Sequence, residues 1–287
     1  MTIRNPIAWG WDQCKTAARG VGVAGRSIGG TAEDLAVPLP QVRRIGLADL
    51  RHALAKGVDD FATYRTDVIF LCLVYPLAGL VLARLVSTYE LVPLLFPLAS
   101  GFALLAPALA LGLYEMSRRR ELGHEVSWAT AFGVLGSPAF GAILTLGLML
   151  CVLFLLWLAA AQAIYEFTLG PRPPVSLDAF AHDVLTTEAG HSMIAIGVGV
   201  GFLFAVLVLA TSVVSFPLLL DRHVTVSTAI WTSLRAVAKN PGPMAVWGLI
   251  VAVSLVLGTI PLFLGLIIVL PVLGHATWHL YRRVVST

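Results

Sequence analysis

His275 and His279 are the sharpest chemical pair in this 287-residue chain. Four positions apart in a helix-forming apolar stretch, they share one helix face and could ligate a metal ion or haem iron. Their surroundings, GHATWHLYRR, close an apolar segment, so Trp278 and Tyr281 are expected in the aromatic belt of a membrane interface. A site spanning two helices would need a further histidine inside the membrane, and the sequence offers none. Interfacial histidines bonded to a carbonyl or a neighbouring helix explain the pair more cheaply. No cofactor is therefore expected, and haem or metal handling stands as the weaker alternative.

The remaining candidates read as helix packing. Gly197, Gly199 and Gly201 resemble a nucleotide-binding loop, but they lie inside an apolar run with no strand before it. Gly197 and Gly201 fit a small-residue face that lets two helices approach, and Ala159 and Ala163 fit the same use. Ser100, Thr145, Gln162, Thr211, Ser212 and Ser254 are the deeper polar groups, each readable as an interhelical hydrogen bond. Ionisable residues avoid the middle of the apolar runs: Arg84 and Glu166 lie near one set of ends, Glu115 and Asp221 near the other. A proton relay would want a central carboxylate. No soluble-enzyme motif is present, and the chain is read as non-catalytic.

These residues sit in six apolar segments, at about Val68–Leu85, Leu91–Tyr114, Gly141–Tyr165, Met193–Leu220, Ala245–Thr259 and Pro261–His279. Hydrophobic residues make up 58% of the chain, charged residues 12%, and the mean hydropathy is +0.87, which excludes a soluble protein. A membrane helix needs roughly 20 apolar residues. Gly258 and Pro261 split the last run into a tight hairpin. Of 19 Lys and Arg residues, only Arg84 and Arg172 fall on one side of the six segments. Positive residues mark the cytoplasmic side, so the reading is a multi-pass inner-membrane protein with both termini cytoplasmic. The net charge of +3 is spread over every loop on that side and does not suggest nucleic-acid binding. Cys14, Cys72 and Cys151 have neither metal spacing nor an even count. The first apolar run begins too late for a cleaved signal peptide.

Residues 1–46 are Gly-rich and read as a flexible cytoplasmic arm, with residues 47–287 as the six-helix membrane domain. Three amphipathic stretches each precede a pair of segments and suit helices at the cytoplasmic interface. In Leu47–Phe61 the apolar residues are Leu47, Leu50, Leu54, Val58 and Phe61. In Ser127–Gly136 they are Trp128, Ala131, Phe132 and Leu135, and in Val226–Lys239 they include Val226, Ile230, Trp231, Leu234 and Val237. Pro138 and Pro241, each ten residues after a tryptophan, end two of them. The loop at Glu166–Ser192 adds a short acidic amphipathic helix read as a cap on the bundle.

An internal repeat runs through this order. Shifted by 164 positions, Pro97, Gly101 and Pro107 meet Pro261, Gly265 and Pro271, and Arg118–Arg119 meet Arg282–Arg283. Glu115 then takes the place of His279, so those two are expected at a common cytoplasmic mouth. The units fall at about 47–120, 126–222 and 225–283. Because each begins and ends on the same side, the repeats are parallel, unlike the inverted repeats common in transporters. The fold class is all-α: a polytopic membrane protein of six transmembrane helices, as three parallel-repeat hairpins with cytoplasmic interfacial helices.

The runs RRIGLADLRHALAKGVDDF, PLFPLASGFALLAPALALGLYEMSRRRELG, FLLWLAAAQAIY, VVSFPLLLDR and LPVLGHATWHLYRR resemble a bacterial family of predicted integral membrane proteins without assigned function, over about Val42–Val285. Some members of that family are labelled cytochrome c oxidase subunit-like. The resemblance implies no catalytic residue. It implies an accessory subunit or assembly factor beside a respiratory complex, of the cytochrome oxidase or bc1 type, with the lipid bilayer and its subunits as partners. A small-molecule or lipid transporter or channel is the alternative.

Overall fold

The computed structural model describes residues 40–72, 89–261 and 264–286. The Gly-rich arm up to residue 39 and most of the first apolar segment, with Pro76 and Arg84, lie outside the described residues. Helices dominate. Helix α1 (Leu47–Cys72) is followed by a 3-10 turn (Tyr89–Leu94), α2 (Leu95–Leu109) and α3 (Leu111–Glu121). Next come α4 (Trp128–Ala131), a second 3-10 turn (Phe132–Gly136), α5 (Phe140–Thr168), α6 (Leu177–Thr186), α7 (Glu188–Ser212) and α8 (Ser215–Asp221). The chain closes with α9 (Val226–Lys239), α10 (Pro241–Thr259) and α11 (Leu266–Val284).

Four helical stretches among the described residues are long and apolar enough to cross a membrane: Val92–Glu121, Phe140–Thr168, Glu188–Asp221 and Pro241–Thr259. They overlie the second to fifth segments read from the sequence. Helix α11 is not among them, because its second half carries His275, His279, Arg282 and Arg283. Asn240 ends α9 and Pro241 opens α10, where a missing N–H costs nothing.

Helix α11 packs against α1, α3, α8 and α10, while α5 joins α2, α7 and α9. That central position corrects one expectation. Trp278 and Tyr281 do not form an interfacial belt: they are 0% and 1% exposed, with their rings 5.5 Å apart. Indole and phenol instead donate to carboxylates at the edge of the core, Glu121 (3.1 Å) and Asp221 (2.6 Å). A polar handle with a partner can be buried, so the rings fill the core.

The buried stripe of α1 also differs from the expected one. Leu47 and Val58 are exposed, and Leu50, Ala53, Gly57 and Asp60 turn inward. The reason is close approach: a Cβ on Gly57 would stand 2.7 Å from the Cβ and the backbone N of Ala276. Where lipid solvates large apolar side chains, small residues set the contact between helices. Helix α9 repeats the pattern, burying Val226, Ala229, Ser233 and Ala236 while Trp231 stays 55% exposed. The stretch from Ser127 to Gly136 is not one amphipathic helix but a four-residue helix and a 3-10 turn.

The repeat residues serve close contacts of several kinds. The carbonyl of Pro97 accepts from Trp157 Nε1 at 2.9 Å, and a Cβ on Gly101 would lie 2.5 Å from the Phe154 ring. Gly265 meets the backbone of Gly258 (a Cβ would stand 2.8 Å away), at the turn between α10 and α11 where Pro261 is exposed. Pro107 and Pro271 both lie inside helices. Ala110 and Gly274, which the repeat equates, face each other across the α3–α11 crossing, a Cβ on Gly274 lying 3.5 Å from that of Ala110.

Replacing Gly57 by Val should force α1 away from α11. Overpacking of this kind costs about 1–3 kcal/mol. The expected result is a clearly lower melting temperature in detergent. A melting curve superimposed on that of the wild type would show that the crossing is looser than described.

Candidate functional site

At one end of the molecule the chain's polar chemistry converges on a single carboxylate. Asp60 is carried inward by the Leu50–Ala53–Gly57–Asp60 stripe of α1 and is 2% exposed. Its Oδ2 accepts from Ser117 Oγ of α3 at 2.6 Å and from His279 Nε2 of α11 at 2.8 Å. Its Oδ1 accepts from the Arg120 guanidinium of α3. A carboxylate can only accept, and a hydroxyl has one proton to give. Ser117 therefore spends its proton on Asp60 and accepts from His275, whose Nδ1 lies 2.8 Å away. This assigns His275 the tautomer protonated at Nδ1, with the ring itself fully buried.

The electrostatics follow from that geometry. Burial by itself pushes the Asp60 carboxyl up. The hydrogen bonds from His279 and Ser117, together with the nearby imidazole charge, more than reverse it and hold the group well below the usual carboxylate range. Arg120 also reaches Asp59 at 3.0 Å and lies over the Tyr64 ring, 5.8 Å from its centre. Tyr64 marks a break in α1, with φ −114° and ψ 23°.

A second network holds the rim. Glu121 accepts from Arg282 at 2.9 Å as well as from Trp278, and Arg282 also reaches Asp221 at 3.4 Å. The segment before α1 is bound to the chain's far end: Arg43 N–H donates to Val284 O, Ser286 N–H to Gln41 O, and Val42 bridges Val285. Asn240 holds the same segment from α9, accepting from Ile45 N–H and donating to Arg43 O.

Set against the sequence reading, His275 and His279 do come together, but around Asp60. His279 presents Nε2 to the carboxylate, and His275 presents Nδ1 to it through Ser117. Among the described residues no group of three or more His, Cys, Asp or Glu side chains is arranged to hold a metal ion. Glu115 does not join His279. It is bound on its own helix by Arg118 and Arg119, at 2.8 and 2.7 Å.

The helix-packing set is only partly brought into contact. Gly201 lies against Trp157, a Cβ there standing 3.1 Å from the ring, while a Cβ on Gly197 would meet nothing described within 4 Å. Ala159 and Ala163 lie on the exposed face of α5, whose inward stripe runs through Leu146, Leu150, Trp157, Ala161 and Tyr165. Asp60, Ser117 and Arg120 are the functional residues that sequence reasoning missed. The available signal was a carboxylate three positions after Gly57 in a stripe of small residues.

An all-helical bundle with four stretches of membrane-crossing length, its charged networks gathered at one end, is an integral membrane protein. Residues 95–221 match the family described as "Predicted integral membrane protein (DUF2189)", in agreement with the resemblance carried by the sequence. No curated protein and no solved structure matches the chain.

Because the folded-state Asp60 value is depressed, the group stabilises the fold fully above about pH 4 and progressively less as pH falls below that. Asp60→Asn should cost about 1–3 kcal/mol at neutral pH, because Ser117 and His279 lose a charged acceptor while Arg120 keeps only Asp59. It should also flatten the acid limb of the stability profile. Thermal melts of both proteins from pH 7 to 3 check this, and parallel profiles would remove Asp60 from its central place.

Proposed function

We propose that this chain is a non-catalytic inner-membrane protein that works by binding other membrane components, as an accessory subunit or assembly factor of a respiratory complex. The observation that carries the reading is the face of α7 that the described residues leave open. Only 6% of the apolar window in Glu188–Asp221 is buried, and Val198, Phe202, Leu203, Val206 and Leu207 are all exposed. On the same helix, a Cβ on Gly197 or Gly199 would meet no described atom within 4 Å. Glycine inside a helix costs about 1 kcal/mol relative to alanine. In membrane helices that cost is offset where a second backbone approaches closely. A helix from another protein would supply that approach. The respiratory assignment itself rests on the family resemblance read from the sequence.

Transport is the less supported alternative. Ser100, Thr145, Thr211 and Ser212 each spend their proton on a carbonyl of their own helix. The topology proposed is six spans in three hairpins with both ends cytoplasmic. Two contacts support it: the end of α3 touches the end of α11 through Glu121 and Arg282, and Gln41 bonds Ser286.

Mild-detergent purification of the tagged chain from native membranes should recover oxidase or bc1-type subunits. Gly197→Leu with Gly199→Leu should deplete them without lowering the melting temperature. A chain that emerges alone from several detergents sinks the accessory reading. In a cysteine-free background, Gly123→Cys and Ser286→Cys should both resist an impermeant thiol label that reaches Pro173→Cys. Labelling of one of the first pair alone would refute three hairpins.

A further inference from the structure

The end of the molecule where α1, α3 and α11 meet is hollow. A cavity of about 490 Å³ opens there, its wall carrying five Lys and Arg side chains against two carboxylates. That excess of three positive charges equals the formal net charge of the whole chain. Both carboxylates are already engaged, Asp60 by Arg120 and His279, Glu121 by Arg282 and Trp278. Arg43 and Lys56 have no ion pair among the described residues, and Arg283 reaches Asp49 only at 3.9 Å.

Basic residues in the last turn of a helix offset the negative end of its dipole. That role accounts for Arg120, Arg282 and Arg283. It does not account for Lys56 and His52, which lie in the body of α1, or for Arg43, which precedes it. These groups line one hollow and repel one another. His52 registers the field: burial, then the charges of Arg283, Lys56 and His279, push its imidazole below the ordinary value. A concave wall of one sign draws in counter-ions of the other.

The place of the cavity selects the anion. The membrane-length stretch Val92–Glu121 ends at the cavity's own Arg120 and Glu121, so the opening lies where hydrocarbon gives way to headgroups. Basic pockets between membrane helices at that level bind anionic lipid headgroups. A phosphodiester presents acceptor oxygens that match the planar guanidinium fork and the lysine ammonium. We propose that this cavity binds the phosphodiester headgroup of an anionic phospholipid, with Arg43, Lys56 and Arg283 facing the phosphate.

The test uses the full chain in neutral detergent, titrated in separate arms with short-chain phosphatidylglycerol, short-chain phosphatidylcholine and glycerol 3-phosphate. Bound lipid is read by native mass spectrometry, and the soluble ester by calorimetry. Phosphatidylglycerol should bind and phosphatidylcholine should not. Arg43→Ala with Lys56→Ala should weaken phosphatidylglycerol binding roughly 10- to 30-fold at unchanged melting temperature. Should that pair fail to fold, Lys56→Gln alone should weaken binding roughly fivefold. Equal retention of both lipids, or full affinity in a folded variant, overturns the site. Glycerol 3-phosphate binding as tightly as the lipid overturns the lipid assignment.

Discussion

A carboxylate that leaves water must find donors, and Asp60 finds them on two helices other than its own. Ser117 and Arg120 come from α3, His279 from α11, and His275 adds a second layer through Ser117. The desolvation cost of a buried charge is offset only when these partners are all in place. Three helices far apart in sequence are thereby held in one register. The arginine that neutralises Asp60 also bridges to Asp59 and covers Tyr64, where α1 breaks. This charge also lies in the wall of the hollow beside α1, while the approach of Gly57 to Ala276 sets the spacing of α1 from α11.

Away from that end, size governs packing more than polarity does. Gly57 meets Ala276, Ala110 meets Gly274, and Gly258 meets Gly265. Leu155, Leu156, Leu249 and Val256 point outward. Lipid is as apolar as leucine, so nothing drives large side chains inward, and close contact between backbones supplies the attraction. The exceptions are aromatic groups with a polar handle. Trp157, Trp278 and Tyr281 are buried while each still donates to an acceptor, a backbone carbonyl for Trp157 and carboxylates at the edge of the core for the other two.

The same rule explains where residue periodicity misled. Counting apolar positions picks the stripe Leu47, Leu50, Leu54, Val58 and Phe61, whereas the fully buried stripe keeps only Leu50, moves to Ala53 and Gly57, and ends on the carboxylate of Asp60. Ala159 and Ala163 have the right spacing and the wrong face, since Trp157 and Ala161 are the residues of α5 that turn inward. Spacing defines a face but carries no information about which neighbour it will meet. The histidine pair shows this again: its common face was legible, and its partner on α1, more than 200 residues earlier, was not.

Apolar length and charge placement are local properties, and they determined by themselves that the chain is helical, enters a membrane and gathers its basic residues at one end. Both boundaries of α9, the start of α5 and the end of α10 were legible for the same reason, because proline, glycine and runs of apolar residues act on their own segment of backbone. Only the tertiary structure decided that His279 answers to Asp60, that Glu115 does not join it, and that Trp278 is core. Those outcomes depend on which helices touch, and contact between distant segments is a property of the assembled bundle, written in no single stretch of residues.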